Sequence, residues 1–585
     1  MYEVLKNINS PADVKKLNAE QLEKLAADIR EALFNRLTKI GGHCGPNFGI
    51  VETSIAMHYV FNSPVDKFVF DVSHQSYPHK MLTGRKNGYI DDECFKQDSG
   101  YTNPEESEHD LFNVGHTSTS VSLASGLAKA RDLRGGKENI IALIGDGSLG
   151  GGEALEGLNF VASELKSNFI VIVNDNQQSI AEVHGGLYDN LTELRNSKGK
   201  SEHNFFKALG LDYIYEDNGN DIQAMIKVLQ KVKDINHPVV LHINTQKGKG
   251  FKFAEENREA WHWCMPFDKE SGKWKVSFPS ESYTGLTTEY IMNKAQKDKD
   301  FVVITPAMPM TAGLTPDLRE KLGAQYVDTG ITEEHAVAFA SGIAKAGGKP
   351  LIVTNSTFIQ RTYDQVSQDV CINNNPVTIL LNYSSVAGLT DVTHLGIFAI
   401  AEFSNIPNLV MLAPTSKEEY LNMLDWAVEQ KEHPVMILLP GNTVTSRAAD
   451  KDFSKLNTFK VESAGEKVAI LALGDFYQKG EELAAAIEKN LGFKPTLINP
   501  RFASGIDEKL LEELKKNHRL VITLEDGVID GGFGQKVAAF YAADEMKVKI
   551  YGLKKEFYDR YNPDELLHEL GITPEQILAD IKKEI

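Results

Sequence analysis

The chain has 585 residues, too many for one hydrophobic core, so we expect two to four domains. Hydrophobic residues make up 42% of the sequence and charged residues 24%, which is typical of a globular protein. The net charge is −19 and no block dense in Lys or Arg occurs, so the composition excludes a protein that binds nucleic acid through a basic face.

The cysteines and the apolar runs indicate the compartment. Cys44, Cys94, Cys264 and Cys371 are scattered and form no CxxC pair, so the sequence predicts neither a zinc site nor a disulfide framework. No apolar run has the length that spans a bilayer, and the first residues lack the apolar segment of a secretory signal. We therefore expect a cytoplasmic protein in a reducing setting, without a membrane partner.

Short apolar runs rich in β-branched residues alternate with longer amphipathic segments along the whole chain. The predicted strands are, in chain order, 68–72, 140–145, 169–175, 238–245, 301–307, 350–356, 376–383, 409–415, 434–440, 468–474, 495–501 and 519–526. Near-continuous apolar strands separated by helical segments are typical of parallel sheets covered on both faces. The sequence therefore predicts an α/β protein with doubly wound, mainly parallel sheets.

Two polar segments, 264–300 and 441–466, have the composition of linkers. They predict three α/β domains, at 1–285, 286–445 and 446–585, of which the first is the largest. The amphipathic segment 17–40 predicts a helix that packs on a sheet or on a second subunit.

Two polar clusters follow neighbouring predicted strands. The sequence GDG closes the run at 140–145, NDN closes the run at 169–175, and Asp146 and Asn176 lie 30 positions apart. That spacing leaves room for one helix and one strand, which places both clusters at the carboxyl ends of parallel strands, where such sheets bind ligands. Carboxylate and amide oxygens suit Mg²⁺, and the glycines at 150–152 would let a diphosphate approach a helix start. The alternative is a simple strand-to-helix turn in which Asp146 caps the helix.

Longer motifs identify a family. The matching stretches, in the family's order, are GGHCGPNFGIVETSIAMHYVF, DVSHQSYPHKMLTGR, GHTSTSVSLASGLAKA, GDGSLGGGEALEGLN, VNDNQQSI, ITEEHAVAFASGIA, STFIQRTYDQV and EDGVIDGGFGQKV. They run nearly end to end, and the chain resembles the 1-deoxy-D-xylulose-5-phosphate synthase family, which is transketolase-like. The resemblance implies a diphosphate-binding, a pyrimidine-binding and a C-terminal domain, a homodimer, and the cofactors thiamine diphosphate and Mg²⁺.

The resemblance implies a transferase of isoprenoid biosynthesis. Such an enzyme decarboxylates pyruvate and joins the two-carbon unit to an aldehyde, glyceraldehyde 3-phosphate in the family. One alternative is a transketolase-type or carboligase enzyme with a ketose donor or with another, unphosphorylated acceptor. A third hypothesis, a cofactor-binding regulator without turnover, ranks low because the catalytic residues of the family are present.

The residues that hold the cofactor follow from the same resemblance. Asp146 and Asn176 match the side-chain ligands of Mg²⁺, and the backbone carbonyl of Gln178 matches a third ligand. Phe358 matches the aromatic residue that stacks on the aminopyrimidine ring. Positions matching those that line the cofactor are His74, Gly115, His116, Thr117, Gly147, Ser148, Asn176 and Phe251.

The resemblance also assigns catalytic roles. Glu333 matches the glutamate that shares a proton with N1′ of the aminopyrimidine and so activates the cofactor. His43, His262 and His394 match histidines that face the reacting carbons, where they would move protons and stabilise a developing alkoxide.

The acceptor side departs from the family. Tyr383 and Pro440 replace its two phosphate-binding arginines, and Asn355 replaces a tyrosine. Thr390 replaces an aspartate, unless Asp391 takes that place. Loss of two charge-assisted arginine contacts costs several kcal/mol, at roughly 1.5–3 kcal/mol for each bond to a charged group.

Two arginines remain as candidate substitutes, Arg361 and Arg447. The departures from the family are confined to the acceptor side, while the cofactor residues are retained. This indicates a changed acceptor specificity rather than decay of the whole site. The segment that follows NDN is also shorter than is typical of the family, which predicts a different lid.

Overall fold

A parallel sheet of five strands organises the amino-terminal part of the computed structural model, which describes residues 2–277, 279–439, 441 and 443–584. The chain forms two compact units: unit 1 comprises residues 1–278 and 330–332, and unit 2 comprises 279–329 and 333–585. The strands of unit 1 are β1 Gly42–His43, β2 Lys67–Phe70, β3 Ile140–Gly145, β4 Phe169–Asp175, β5 Asp212–Glu216, β6 Pro238–Asn244 and β7 Trp263–Cys264.

The main sheet of unit 1 has the order β2-β3-β4-β6-β5 and is parallel throughout, whereas β1 and β7 form a separate antiparallel pair. Alternate residues of β3 face opposite sides: Ile141 and Leu143 lie in one hydrophobic core, Ala142 and Ile144 in another. Helices cover both faces, which explains why the central strands are apolar throughout. These helices are α1 Pro11–Val14, α2 Ala19–Ile40, α3 Gly45–Gly49, α4 Val51–Val60, α5 Tyr77–Lys80, α6 Asn87–Ile90, α7 Ser120–Leu133, α8 Asp146–Leu149, α9 Gly152–Glu164, α10 Gly186–Asn196, α11 Phe205–Ala208, α12 Ile222–Val232 and α13 Lys252–Glu256.

Helix α2 corresponds to the amphipathic segment predicted at 17–40. Asn18 caps its start, because its side chain accepts from Gln21 N at 2.9 Å while the Gln21 side chain accepts from Asn18 N at 2.9 Å. The helix ends at Gly41, which adopts φ +75°. Its apolar face lies in the core of unit 1.

Unit 2 contains two further sheets. Its strands are β8 Phe301–Thr305, β9 Tyr326–Asp328, β10 Lys349–Asn355, β11 Thr378–Asn382, β12 Val410–Leu412, β13 Val435–Leu438, β14 Lys460–Ser463, β15 Lys467–Ala472, β16 Thr496–Asn499, β17 His518–Val528 and β18 Lys547–Leu553. The first sheet, β12-β13-β11-β10-β8-β9, is parallel; in the second, β14-β16-β15-β17-β18, only β14 runs antiparallel to its neighbour. One hydrophobic core contains Ile379 of the first sheet and Leu471 of the second, so the two sheets share apolar packing.

The helices of unit 2 separate these strands. They are α14 Tyr283–Lys297, α15 Pro316–Leu322, α16 Glu333–Lys345, α17 Ser356–Ile359, α18 Ala399–Phe403, α19 Lys417–Glu429, α20 Tyr477–Leu491, α21 Glu508–Leu514, α22 Phe533–Phe540, α23 Pro563–Glu569 and α24 Pro574–Glu584. Among the described residues, no helix combines the length and the apolar character needed to cross a bilayer.

The α/β class and each predicted strand are confirmed, with ends that shift by a few residues. The linker interpretation of 264–300 is wrong over α14, where Ser282 caps a helix of 15 residues that buries Tyr283 and Ile291. The division into three domains stays a prediction.

Candidate active site

The ends of β3 and β4 lie side by side in unit 1, because Gly145 pairs with Asn174 across the two strands. Asp146, which opens α8, is only 2% exposed. The Oδ1 atom of Asn176 is buried and has no hydrogen-bond partner in the protein. The backbone N–H of Gln178 donates to Asp146 Oδ2 at 3.0 Å. The three residues expected to bind a metal are therefore brought together.

The charges around this edge favour a cation. Burial and the neighbouring Asp175 raise the pKa of Asp146 well above its usual range. Asp175 differs, since hydrogen bonds from His242, at 2.9 Å, and from Arg195 outweigh its burial and lower its pKa. A buried carboxylate and a buried amide oxygen without a partner are each costly to remove from water, and a hard divalent cation is the kind of ligand that satisfies such oxygens.

The glycines of this region allow loops to approach closely. A Cβ on Gly147 would lie 2.7 Å from Ser179 Cβ, and a Cβ on Gly151 would lie 2.1 Å from Ser118 Oγ. The Ser118 hydroxyl in turn donates to the Ser148 carbonyl at 2.8 Å. The segment Gly115–His116–Thr117, which precedes Ser118, is thereby held beside the GDG turn.

Asp71, at the end of β2, fixes the same segment. Its carboxylate accepts from the backbone N–H groups of Ser118, at 2.9 Å, and Ser120, at 3.0 Å. Sequence reasoning did not single out Asp71. The available signal was a carboxylate near the end of the otherwise apolar predicted strand 68–72.

His43, His74 and His262 form a cluster. The ring centroids of His43 and His74 are 5.2 Å apart, those of His43 and His262 5.7 Å, and those of His74 and His262 5.3 Å. Burial and then nearby Lys247 lower the pKa of His74 to about 3, and the same two causes hold the pKa of His262 well below its usual range. His74 and His262 are therefore neutral at physiological pH, and the buried Nδ1 of His74 has no protein partner.

Lys247 is the main site residue of unit 1 that sequence reasoning missed. It is 1% exposed, follows β6, and its Nζ lies 2.5 Å from the Ser179 carbonyl oxygen and 3.1 Å from His262 Nδ1. Burial lowers its pKa to about 7. A lysine so close to neutrality can bind an anion or exchange a proton.

Phe251, expected to line the cofactor, is 4% exposed and packs in an aromatic cluster. Its ring centroid lies 4.7 Å from that of Trp261 and 5.4 Å from that of Phe267. Its role toward a cofactor stays a prediction.

Glu333 begins α16 in unit 2 and is 4% exposed. Burial raises the pKa of its carboxyl to about 7, although Arg361, whose Nη1 lies 3.4 Å from Glu333 Oε2, opposes the rise. The group can therefore hold or release a proton near neutral pH, as a catalytic acid or base requires.

Phe358 and His394 lie next to each other in unit 2. Phe358 belongs to α17, and its ring meets the ring of His394 edge to face, with centroids 5.6 Å apart. His394 Nδ1 lies 2.8 Å from the hydroxyl of Thr393. An aromatic face and an imidazole are thus adjacent, as both expected roles require.

Two of the expected acceptor residues, Asn355 and Tyr383, lie at the carboxyl edge of the first sheet of unit 2. Asn355 ends β10 and pairs with Asn382, which ends β11 and precedes Tyr383. Asn355 Oδ1 is buried without a protein partner, whereas Tyr383 is 42% exposed with a left-handed φ of +57°. The Thr390 carbonyl accepts from Arg560 N at 2.7 Å. Pro440 lies outside the described residues.

The candidate substitutes for the missing arginines are engaged elsewhere in unit 2. Arg447 binds Glu481, with Nη2 to Oε2 at 2.5 Å, and donates to the Thr415 carbonyl at 2.6 Å. Arg361 neighbours Glu333. The Asp391 carboxylate accepts from Thr393, so its side chain turns into its own loop.

Comparisons with known proteins agree with this layout. Family descriptions match three parts of the chain: 1-deoxy-D-xylulose-5-phosphate synthase over 5–204 and 197–245, the transketolase pyrimidine-binding domain over 282–445, and the transketolase C-terminal domain over 457–577. The 1-deoxy-D-xylulose-5-phosphate synthase of Alkaliphilus oremlandii is 37% identical, covering 100% of this chain and 99% of that protein. The synthase of Caldanaerobacter subterraneus is 37% identical, covering 99% and 98%.

A solved transketolase from Campylobacter jejuni is 17% identical, with a TM-score of 0.44, over 97% of this chain and 100% of its own. At that level it adds nothing to the assignment.

The three matched domains and the full-length relatives define a transketolase-like α/β enzyme, a thiamine-diphosphate-dependent transferase of two-carbon units, and the parallel sheets fit that class. Within that class, the chain belongs to the 1-deoxy-D-xylulose-5-phosphate synthase family.

Proposed function

We propose that unit 1 binds the diphosphate of thiamine diphosphate through a Mg²⁺ ion held by Asp146, Asn176 and the backbone carbonyl of Gln178. The observation that carries the proposal is the buried, unpartnered Oδ1 of Asn176, two residues before Gln178, whose backbone N–H donates to the buried Asp146 carboxylate at 3.0 Å. Buried polar atoms without partners are rare in folded proteins, and an oxygen pair of this kind matches the ligands of a hard cation.

Other groups of unit 1 would contact the part of the cofactor next to the diphosphate. Lys247 supplies a buried amine that would be positively charged beside an anion, and the backbone around Gly147, Ser148 and Gly115–Thr117 would supply donors close to a helix start. His74 offers an unpartnered ring nitrogen. His43 and His262 would take up and return protons at the reacting carbons.

Unit 2 would bind the aminopyrimidine. Glu333 would share a proton with it, which a pKa of about 7 permits, and Phe358 would stack on the ring. When bound, the cofactor supplies a carbon nucleophile and an electron sink. His394, next to Phe358, would act on the substrate.

We propose the activity of the family: decarboxylation of pyruvate and transfer of the two-carbon unit to an aldehyde. Calorimetric titration of the metal-free protein with thiamine diphosphate tests the cofactor site directly. Binding should require Mg²⁺ and should be lost in Asp146→Ala. Binding of equal strength without Mg²⁺ would reject the ligand set.

An unphosphorylated acceptor is the second candidate, and one observation favours it. Arg447 is bound to Glu481 and the Thr415 carbonyl, and Arg361 neighbours Glu333, so both arginines already have partners within the protein. We expect kcat/KM for glyceraldehyde to equal or exceed that for glyceraldehyde 3-phosphate. A clear preference for the phosphorylated aldehyde would reject this candidate.

A further inference from the structure

We propose that Asp391 and Thr393 are positioning residues that fix the tautomer of His394, so that Nδ1 carries the proton and Nε2 is the basic nitrogen presented for catalysis. The inference rests on the proposed role of His394 in the two-carbon transfer.

The three side chains form a continuous hydrogen-bonded chain. The Thr393 hydroxyl donates to Asp391 Oδ1 at 2.7 Å, and the same oxygen accepts from Thr393 N at 3.0 Å. Thr393 Oγ1 lies 2.8 Å from His394 Nδ1. The backbone N–H of His394 donates to the Asp391 carbonyl at 2.9 Å, which fixes the turn that carries all three residues.

The proton count determines the direction of this chain. A threonine hydroxyl has one proton, and an ionised carboxylate can only accept. Since the Thr393 proton is directed to Asp391, Thr393 Oγ1 must accept from His394, and Nδ1 must carry a proton. In the neutral imidazole Nε2 is then the proton acceptor.

The C-terminal segment holds the turn in place within unit 2. Asp559 Oδ1 accepts from Val392 N at 3.2 Å, Arg560 N donates to the Thr390 carbonyl at 2.7 Å, and the Tyr561 hydroxyl donates to the Val386 carbonyl at 3.0 Å. These bonds flank Asp391 on both sides and restrain the loop, which pre-organises the histidine.

Two charged groups of that segment also act on Asp391. Burial and the neighbouring Asp559 raise the pKa of Asp391, while Arg560 and the bonds from Thr393 oppose the rise. A protonated Asp391 could donate to Thr393, which would then donate to His394 Nδ1 and reverse the tautomer. The basic form of His394 therefore depends on the Asp391 carboxylate.

The simpler alternative is a local turn in which Asp391 only stabilises the loop. The two accounts differ in what Thr393 does. A turn needs the backbone N–H of residue 393, which valine retains, whereas the proton chain needs the hydroxyl, which only serine retains.

The test compares Thr393→Val with Thr393→Ser in the full enzyme with Mg²⁺, thiamine diphosphate, pyruvate and glyceraldehyde. We expect Thr393→Val to lower kcat about 10- to 100-fold, with KM for the aldehyde and the Tm little changed. General acid–base groups themselves contribute about 10²- to 10⁴-fold. Thr393→Ser should retain most of the parental kcat. The kcat of Asp391→Asn should exceed that of Asp391→Ala, because asparagine retains an acceptor oxygen. Equal rates in Thr393→Val and the parent would overturn the inference.

A double-mutant cycle with His394→Gln separates this inference from the function on which it rests. If the chain acts through His394, Thr393→Val should have no further effect in the His394→Gln background. Additive losses of kcat would reject the hydrogen-bonded chain from Asp391 to His394, while leaving His394 in its role. If His394→Gln had the activity of the parent, His394 would have no role in the two-carbon transfer, and the hydrogen-bonded chain would have no effect on catalysis.

Nitrogen NMR of ¹⁵N-histidine-labelled protein provides a readout without turnover, with His394→Gln used to assign the signal. We expect Nδ1 of His394 to be protonated and Nε2 unprotonated in the parent, and a mixture of tautomers in Thr393→Val. A parent that carries its proton on Nε2 would contradict the inference.

Discussion

The strand-end site of unit 1 and the loop 385–398 of unit 2 satisfy their polar groups in opposite ways. In unit 1, Asn176 Oδ1 and His74 Nδ1 are buried without protein partners. In the loop of unit 2, Asp526 accepts from the Ser385 hydroxyl and the Val386 N–H, and residues 559–561 bind backbone groups at positions 386, 390 and 392. Buried polar atoms that lack a hydrogen-bond partner in the protein suit a site that binds a small molecule. A loop whose polar groups are hydrogen-bonded within unit 2 can change its sequence without loss of the cofactor site. Of the expected departures from the family, Thr390 lies in this loop, and Asn355 and Tyr383 precede it in unit 2.

The largest effect should come from Glu333→Gln. The variant retains shape but cannot exchange a proton, so we expect kcat to fall by about 10²- to 10⁴-fold. Calorimetry should show Mg²⁺-dependent cofactor binding within a few-fold of the parent, because unit 1 is unchanged. Glu334→Gln, one residue along the same helix, is the matched control. Near-normal turnover in Glu333→Gln would remove Glu333 from its role.

Glu333→Gln should also change the pH dependence of the free energy of unfolding. The folded chain raises the pKa of Glu333 from its ordinary 4.5 to about 7, so its contribution to stability is complete below about pH 4.5 and is lost as the pH rises through 7. The rise corresponds to about 3 kcal/mol. Glu333→Gln should therefore be more stable than the parent at pH 8 and similar to it near pH 4.5. A Tm difference independent of pH would contradict the burial of this carboxyl.

Asn176→Ala tests whether the unpartnered oxygen in unit 1 binds Mg²⁺. Removal of the unpartnered oxygen should weaken Mg²⁺ binding at least about tenfold, the lower end of what even outer partners of a metal site contribute. Asn176→Asp, which retains an oxygen donor, should lose less. Mg²⁺-induced shifts of Tm at fixed thiamine diphosphate give the affinities. Identical shifts in parent and Asn176→Ala would show that this oxygen does not bind the ion.

The smallest effect should come from Arg447→Ala. Its partly exposed pair with Glu481 should contribute no more than about 1 kcal/mol to stability. Because the guanidinium is held by Glu481 and Thr415, we expect KM for glyceraldehyde 3-phosphate to change less than twofold. A tenfold rise in that KM would show that Arg447 binds the phosphate and would reject the acceptor proposal.

The sequence predicts the apolar strands well, including the edge strands β2 and β12, but misses the more polar edge strands. The runs at 140–145 and 169–175 coincide with β3 and β4 because strands buried on both faces are apolar throughout. Strand β5, Asp212–Glu216, was missed, since it lies at the sheet edge and none of its residues is fully buried. Strand β18, Lys547–Leu553, is also an edge strand, and only its last residue is buried.

Contacts between distant parts of the chain could not be predicted from the sequence. Asp146 and Asn176 could be found because strand order brings successive strand ends together. Lys247 follows a predicted strand too, but only the folded chain places its ammonium beside Ser179 and His262. The bonds from Asp559, Arg560 and Tyr561 to the loop of His394 connect residues about 170 positions apart, and no local pattern indicates them.

The central claim, two-carbon transfer from a 2-oxo acid at a thiamine diphosphate site, is tested most directly by release of carbon dioxide from carboxyl-labelled pyruvate. The purified chain with Mg²⁺ and thiamine diphosphate would be supplied with glyceraldehyde or glyceraldehyde 3-phosphate. We predict release that requires both cofactors and an aldehyde, that is lost in Glu333→Gln, and that is at least as fast with the unphosphorylated aldehyde. Absence of release with every aldehyde, or ketol transfer from a ketose phosphate without gas, would contradict the claim.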